Sequence, residues 1–168
     1  MEIENIILRS FVAEDQEQIL DVLTSDKVHK TYMLPDFEHR ADAIPLFQKL
    51  MALSEDTHHF VRCIDLDGTA IGFLNDVEIR DCMIELGYVI HPDHHNRGYM
   101  TSALKLAVSD LFALGYQAVV CGAFEQNKAS QRVMEKSGMV KMEKVDTVEY
   151  RGTTHICVYY HAINRKET

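Results

Sequence analysis

The run of residues 82–111 leaves this chain few choices of local fold. Residues 82–90 read Cys-Met-Ile-Glu-Leu-Gly-Tyr-Val-Ile, rich in β-formers and closed by His91-Pro92. From Met100 onward the apolar residues Met100, Ala103, Leu104, Ala107, Val108 and Leu111 recur at helical spacing. Between the two lies His94-His95-Asn96-Arg97-Gly98-Tyr99. A strand, a short loop, a glycine and a helix start aim several unpaired backbone N–H groups at one point, where the helix dipole also favours negative charge. An anion suits that point, a phosphate above all.

Composition narrows what the anion belongs to. The 168 residues are the length of one domain, and 46 % hydrophobic with 26 % charged residues is an ordinary globular balance. The formal net charge of −9 argues against general nucleic-acid binding and means that local geometry must hold a phosphate against the field of the whole protein. A cationic partner, such as an amine or a basic peptide, is attracted instead. No apolar run is long enough to span a bilayer, and Met-Glu-Ile-Glu-Asn-Ile-Ile at the start lacks a basic n-region, so cytoplasmic residence is expected. Cys63, Cys82, Cys121 and Cys157 form no Cys-x-x-Cys pair and read as reduced, mostly buried thiols.

Residues 3–11 read as a first strand and residues 14–23 as a short helix. A second helical region covers residues 26–34 up to Pro35. A third covers residues 40–53, where Pro45 either starts the regular helix or kinks it. Residues 60–64, 70–77 and 83–90 are β-rich runs separated by Asp65-Leu66-Asp67-Gly68 and Ile79-Arg80-Asp81, the pattern of an antiparallel meander. The long helix ends at Leu114 before Gly115. Residues 117–122 read as a buried strand, residues 127–137 as a helix closed by Gly138, and residues 140–149 and 155–162 as a hairpin around Arg151-Gly152. These elements describe one α+β domain over residues 1–168, a twisted, mostly antiparallel mixed sheet with helices on both faces.

Three motifs in this order resemble the GNAT superfamily of N-acetyltransferases. Its central Gln/Arg-x-x-Gly-x-Gly/Ala signature corresponds to His95-Asn96-Arg97-Gly98-Tyr99-Met100. Glu85-Leu86-Gly87-Tyr88, Gly98-Tyr99-Met100-Thr101-Ser102-Ala103, and Asn127-x-x-Ser130 followed by Glu135-Lys136-Ser137-Gly138-Met139 are similar to the ribosomal-protein (Rim-type) acetyltransferase branch. His95, Asn96, Met100 and Met139 depart from the residues usual there. Asn96 tolerates left-handed backbone angles, so the turn can persist.

The resemblance implies a sheet of about seven strands with a splay between strands 4 and 5. It also implies acetyl-CoA as acyl donor, with its pyrophosphate on the backbone of His95, Asn96, Arg97, Gly98, Tyr99, Met100 and Thr101. Pantetheine is then expected along the backbone of Tyr88, Val89 and Ile90, freed by a bulge at Gly87. Asn127 is a preferred N-cap on its own account, and the resemblance adds a bond to pantetheine. Many superfamily members carry a tyrosine acid where this chain has Met134, so Ser130 becomes the group expected to stabilise the departing sulfur. Amine acetylation needs a proton acceptor. Glu85 is the first candidate, with Asp76, Glu78 and Glu143 as alternatives.

The expected reaction is direct acetyl transfer to a primary amine, either a protein N-terminal α-amine or a small cationic amine. The alternative is a non-catalytic acyl-CoA sensor. A P-loop is absent. His91, His94 and His95 with Asp93 match no zinc spacing, and no metal is expected. The family often forms homodimers, so a dimer is possible.

Overall fold

A computed structural model describes residues 5–165. Its strands are β1 (Ile6–Arg9), β2 (Val61–Leu66), β3 (Thr69–Arg80), β4 (Met83–Ile90), β5 (Ala118–Phe124), β6 (Val140–Tyr150) and β7 (Thr153–Ile163). The helices are α1 (Gln16–Leu23), α2 (Asp26–His29), α3 (Ile44–Ser54), α4 (Tyr99–Ala113) and α5 (Lys128–Lys136). The seven strands form one mixed sheet in the order β1-β2-β3-β4-β5-β7-β6. Strands β4 and β5 pair in parallel, from Met83 opposite Ala118 to Leu86 opposite Cys121; past Leu86 the two strands splay, as expected. Among the described residues no helix is long and apolar enough to cross a membrane.

Each expected element is present, with changed limits. Ile3 and Glu4, assigned to the first strand, lie outside the described residues. The helix expected over residues 26–34 closes after one turn, at His29. Two constraints stop it. Pro35 bars helical angles at Leu34, and Tyr32 leaves the helical path to donate from Oη to Asn75 Oδ1 at 2.6 Å and pack its ring against Phe73. The region expected over residues 40–53 opens with a 3-10 turn (Arg40–Ala43), and Pro45 sits in the first turn of α3, where its missing N–H costs nothing. Cys63, Cys121 and Cys157 are buried thiols, whereas Cys82 is exposed.

The described residues group into two compact units. One runs to Asn75 and takes in Tyr88–Ala103; the other holds Asp76–Gly87 and the chain from Leu104 onward. In the first unit Phe11, Ile19, Leu23, Phe47 and Phe73 form the apolar centre, with Phe11 edge-on to Phe47 at 5.9 Å. Beside it Arg9 bonds both oxygens of buried Asp15 at 2.8 Å and, through Nε, buried Asp65 at 2.6 Å. Burial pushes the Asp15 carboxyl up, but the Arg9 bonds and the Val12 amide outweigh it and hold the group below its ordinary range. The second unit centres on Val120, Phe124, Cys157 and Tyr159 of β5 and β7.

Gly72 on β3 shapes the end of β4. A Cβ there would lie 2.2 Å from the Val89 carbonyl oxygen and 2.8 Å from Ile90 Cα, so only glycine lets the two backbones meet. Gly72→Ala is expected to destabilise by about 1–3 kcal/mol, the range for overpacking, and to displace Val89 and Ile90. Urea unfolding combined with amide exchange at those two residues checks both effects.

Candidate active site

The loop after β4 is built for positive φ. After a 3-10 turn (Pro92–His94), Asn96 takes φ 61° and Gly98 φ 80°. Both angles strain ordinary residues, and asparagine and glycine bear them best. A Cβ at Gly98 would meet nothing within 4 Å, so this glycine serves the turn and leaves open space beside it. The Ser102 N–H donates to the Gly98 carbonyl at 3.0 Å and closes the first turn of α4. The amides before it, those of Met100 and Thr101 among them, therefore have no acceptor inside the helix.

Side chains in this loop divide into two groups. His95, Asn96 and Arg97 are exposed, whereas Tyr99 and Met100 are only 6 % exposed. Met100 therefore presents backbone, not thioether, to anything outside, and Tyr99 packs near the His94 ring at 6.0 Å between centroids. His95 Nε2 lies 3.1 Å from the Ile90 carbonyl, tying the loop back to the end of β4, and the His91 N–H donates to the Ile71 carbonyl at 2.8 Å.

In the second unit the carboxyl group of Glu85 is the centre of interest. Glu85 stands opposite Val120 across the β4–β5 ladder, one residue before that pairing ends. Two residues along β5, Gly122 pairs with Tyr159 of β7. A Cβ built on Gly122 would lie 2.9 Å from Tyr159 Cε1 and 3.5 Å from Glu85 Oε1. The absent side chain is thus what lets the carboxylate and the aromatic ring share one spot, and Gly122 itself is exposed. Tyr159 Oη donates to Asp146 Oδ2 at 2.9 Å, and Lys144 Nζ sits 4.4 Å above the Tyr159 ring centre and 3.7 Å from Asp146 Oδ2.

Partial burial pushes the Glu85 carboxyl above the ordinary carboxylate range; the Lys144 charge opposes this, and the charges of Glu78 and Asp146 add to it. Burial also raises the Tyr159 phenol, with Asp146 and Glu85 reinforcing the effect. The Cys121 and Cys157 thiols are raised too, mainly by burial with a contribution from Glu85. A half-buried carboxyl raised in this way has the chemistry to accept a proton.

Asn127 caps α5: its Oδ1 accepts the Ser130 N–H at 3.2 Å. An N–H can only donate, so the cap takes the oxygen and leaves the Nδ2 group as a donor for something else. Ser130 is half-buried one turn into α5, and Met134 is fully buried.

Sequence reasoning singled out none of Gly72, Gly122, Lys144, Asp146 and Tyr159, although Lys144 and Asp146 fall in the stretch 143–154 that the family resemblance assigns, with residues 26–55, to the acceptor pocket. Gly72 and Gly122 did carry a signal, since each interrupts an apolar strand run, the argument applied to Gly87 alone.

The Acetyltransferase (GNAT) domain family matches residues 5–140. Among curated proteins, an uncharacterized N-acetyltransferase, YoaA of Bacillus subtilis (strain 168), is 28 % identical over 174 residues, covering 99 % of this chain and 98 % of that protein. Two solved structures share the fold at 16 % identity. The microcin C7 self-immunity acetyltransferase MccE, in complex with acetyl-CoA and AMP, superposes with a TM-score of 0.83 over 97 % of this chain and 94 % of its own. The ribosomal L7/L12 α-N-protein acetyltransferase RimL, in complex with coenzyme A, does so with a TM-score of 0.82 over 94 % and 93 %.

Proposed function

The chain belongs to the GNAT family of N-acetyltransferases, and from that premise we propose that it acts as one catalytic domain moving the acetyl group of acetyl-CoA onto a primary amine by direct attack in a ternary complex. The observation that carries this reading is the Glu85 carboxyl, half-buried, raised, and brought up to Tyr159 where Gly122 lacks a side chain. Acetyl-CoA supplies the activated acyl group as a thioester. The residues of the chain bind it, orient it and move the proton.

The first-turn amides of α4 and the backbone around Asn96 and Gly98 take the pyrophosphate, with Arg97 adding charge. Support for this comes from the φ values of Asn96 and Gly98 and from the bound acetyl-CoA and coenzyme A of MccE and RimL. Tyr88, Val89 and Ile90 offer backbone groups to pantetheine, and Asn127 donates to it from Nδ2 while its oxygen stays on the cap. Ser130 hydrogen-bonds the sulfur as it leaves. Glu85 accepts the proton of the attacking amine, which forms the C–N bond as the C–S bond breaks. The acceptor is a protein N-terminal α-amine or a small cationic amine. The net charge of −9, the carboxylates around Glu85 and the named substrate class of RimL support that choice.

Thiol release from acetyl-CoA, measured across peptides with free N-termini and small polyamines, tests the reading. Amine-dependent release is expected for at least one class. Acetyl-CoA binding without release on either class contradicts it and favours a sensor.

The raised Glu85 carboxyl carries its own pH signature. The base works only when ionised, so kcat/KM is expected to fall as pH drops through a limb lying above the ordinary carboxylate range. Lys144→Met removes the cation that favours ionised Glu85, so this limb moves to higher pH. A pH–rate comparison of the two proteins checks the direction.

A further inference from the structure

Strand β6 is irregular where it passes Tyr159. Lys141 pairs with Tyr160 and Val145 with Val158, so Met142, Glu143 and Lys144 all stand opposite the single residue Tyr159. Such a surplus bends the strand and re-aims the side chains at it. Lys144 is the residue re-aimed. Its ammonium sits 4.4 Å above the Tyr159 ring and 3.7 Å from Asp146 Oδ2, held by an aromatic face and a carboxylate. The edge of that same ring and the Glu85 carboxylate oxygen both crowd the position a Cβ at Gly122 would take, at 2.9 Å and 3.5 Å.

A primary amine therefore shares the Tyr159 ring with the carboxyl proposed above to accept a proton from primary amines, and its charge acts on that carboxyl. We propose that Lys144 is an internal acceptor, acetylated on Nζ within its own molecule. This rests on the acetyltransferase reading given above. The step balances as the external reaction does: Glu85 takes one proton from the Lys144 ammonium, Nζ attacks the thioester carbonyl, the C–N bond forms, the C–S bond breaks, and a second proton from Nζ passes to the departing sulfur, so coenzyme A leaves as the thiol. The product is a neutral amide with no cation to offer Asp146 or Glu85. The charged groups facing Glu85 from the neighbouring strands are Glu78 on β3 and Lys144 and Asp146 on β6, with the Cys121 thiol on β5 and the Cys157 thiol and Tyr159 phenol on β7. Lys144 is the cation among them.

The test needs only the whole protein and acetyl-CoA. Wild type, Lys144→Arg and Glu85→Gln are incubated with acetyl-CoA, and acetylation is mapped by peptide mass spectrometry at several protein concentrations. Lys141, on the same strand, reports uncatalysed modification. The expected result is acetylation of Lys144 at least about tenfold faster than of Lys141, at a rate independent of protein concentration and reduced about tenfold or more in Glu85→Gln. Equal rates at Lys144 and Lys141, no loss in Glu85→Gln, or a rate that rises with protein concentration would each overturn the proposal. External amines run in parallel separate the two readings: transfer to them with Lys144 unmodified refutes the internal acceptor alone, and transfer to nothing refutes both.

Discussion

Glu85→Gln lowers kcat by about 10²–10⁴-fold, the usual worth of a positioned proton acceptor. Acetyl-CoA affinity, read by calorimetry, changes little, because the groups proposed to hold the cofactor are the backbone of the loop and of the end of β4. The amide is isosteric, so the packing against Gly122 and Tyr159 survives and only the proton affinity is lost. That separates a chemical role from a structural one. A Glu85→Gln protein with unchanged kcat would transfer the role to Glu78 or Asp146, the other carboxylates whose charges reach this spot. Ser130→Ala is expected to act in the same sense and more weakly, since a serine near a sulfur stabilises it and is a poor acid.

The second large effect is on stability. Arg9→Met leaves the carboxylates of Asp15 and Asp65, each 5 % exposed, without their cation. Breaking a buried charge network from one side costs about 3–5 kcal/mol, which for a chain of this length is a fall of about 6–20 °C in Tm. The acid dependence carries the sign. Asp15 is held below its ordinary range in the folded chain, so its contribution is present above the unfolded pKa and lost as pH falls through the folded one. Arg9→Met should therefore unfold earlier at neutral pH and lose less on acidification than wild type. Scanning calorimetry at pH 7 and pH 3 measures both. A triple variant, Arg9→Met with Asp15→Asn and Asp65→Asn, is expected to recover part of the loss, because an unpaired amide costs less to bury than an unpaired charge.

The loop and the strand before it were legible because their demands are local. Positive φ at Asn96 and Gly98 is written in residue type, helical spacing after Met100 in periodicity, and the cap at Asn127 in one side chain followed by a helix. The cluster around Glu85 was not legible, because it depends on register. Period-two alternation says which face a strand residue takes, but not which residue of another strand lies opposite. Nothing in Ile-Cys-Val-Tyr-Tyr of β7 singles out Tyr159 as the neighbour of Gly122, and the surplus that brings Lys144 over it is invisible in Lys-Met-Glu-Lys-Val. The shortened α2 failed for a related reason: the partner of Tyr32 is Asn75, forty-three residues away.

The roles proposed for Glu85, Ser130 and Lys144 all assume direct transfer, and a rapid-quench single turnover measures it most directly. The experiment uses Lys144→Arg protein, so that the internal lysine does not consume acetyl-CoA, with an acceptor amine from the thiol-release panel. The predicted result is that free thiol and acetylated amine appear together, in equal amounts, and only when the amine is present. A burst of thiol before any acetylated amine, with the acetyl group recovered on the protein, would contradict the account.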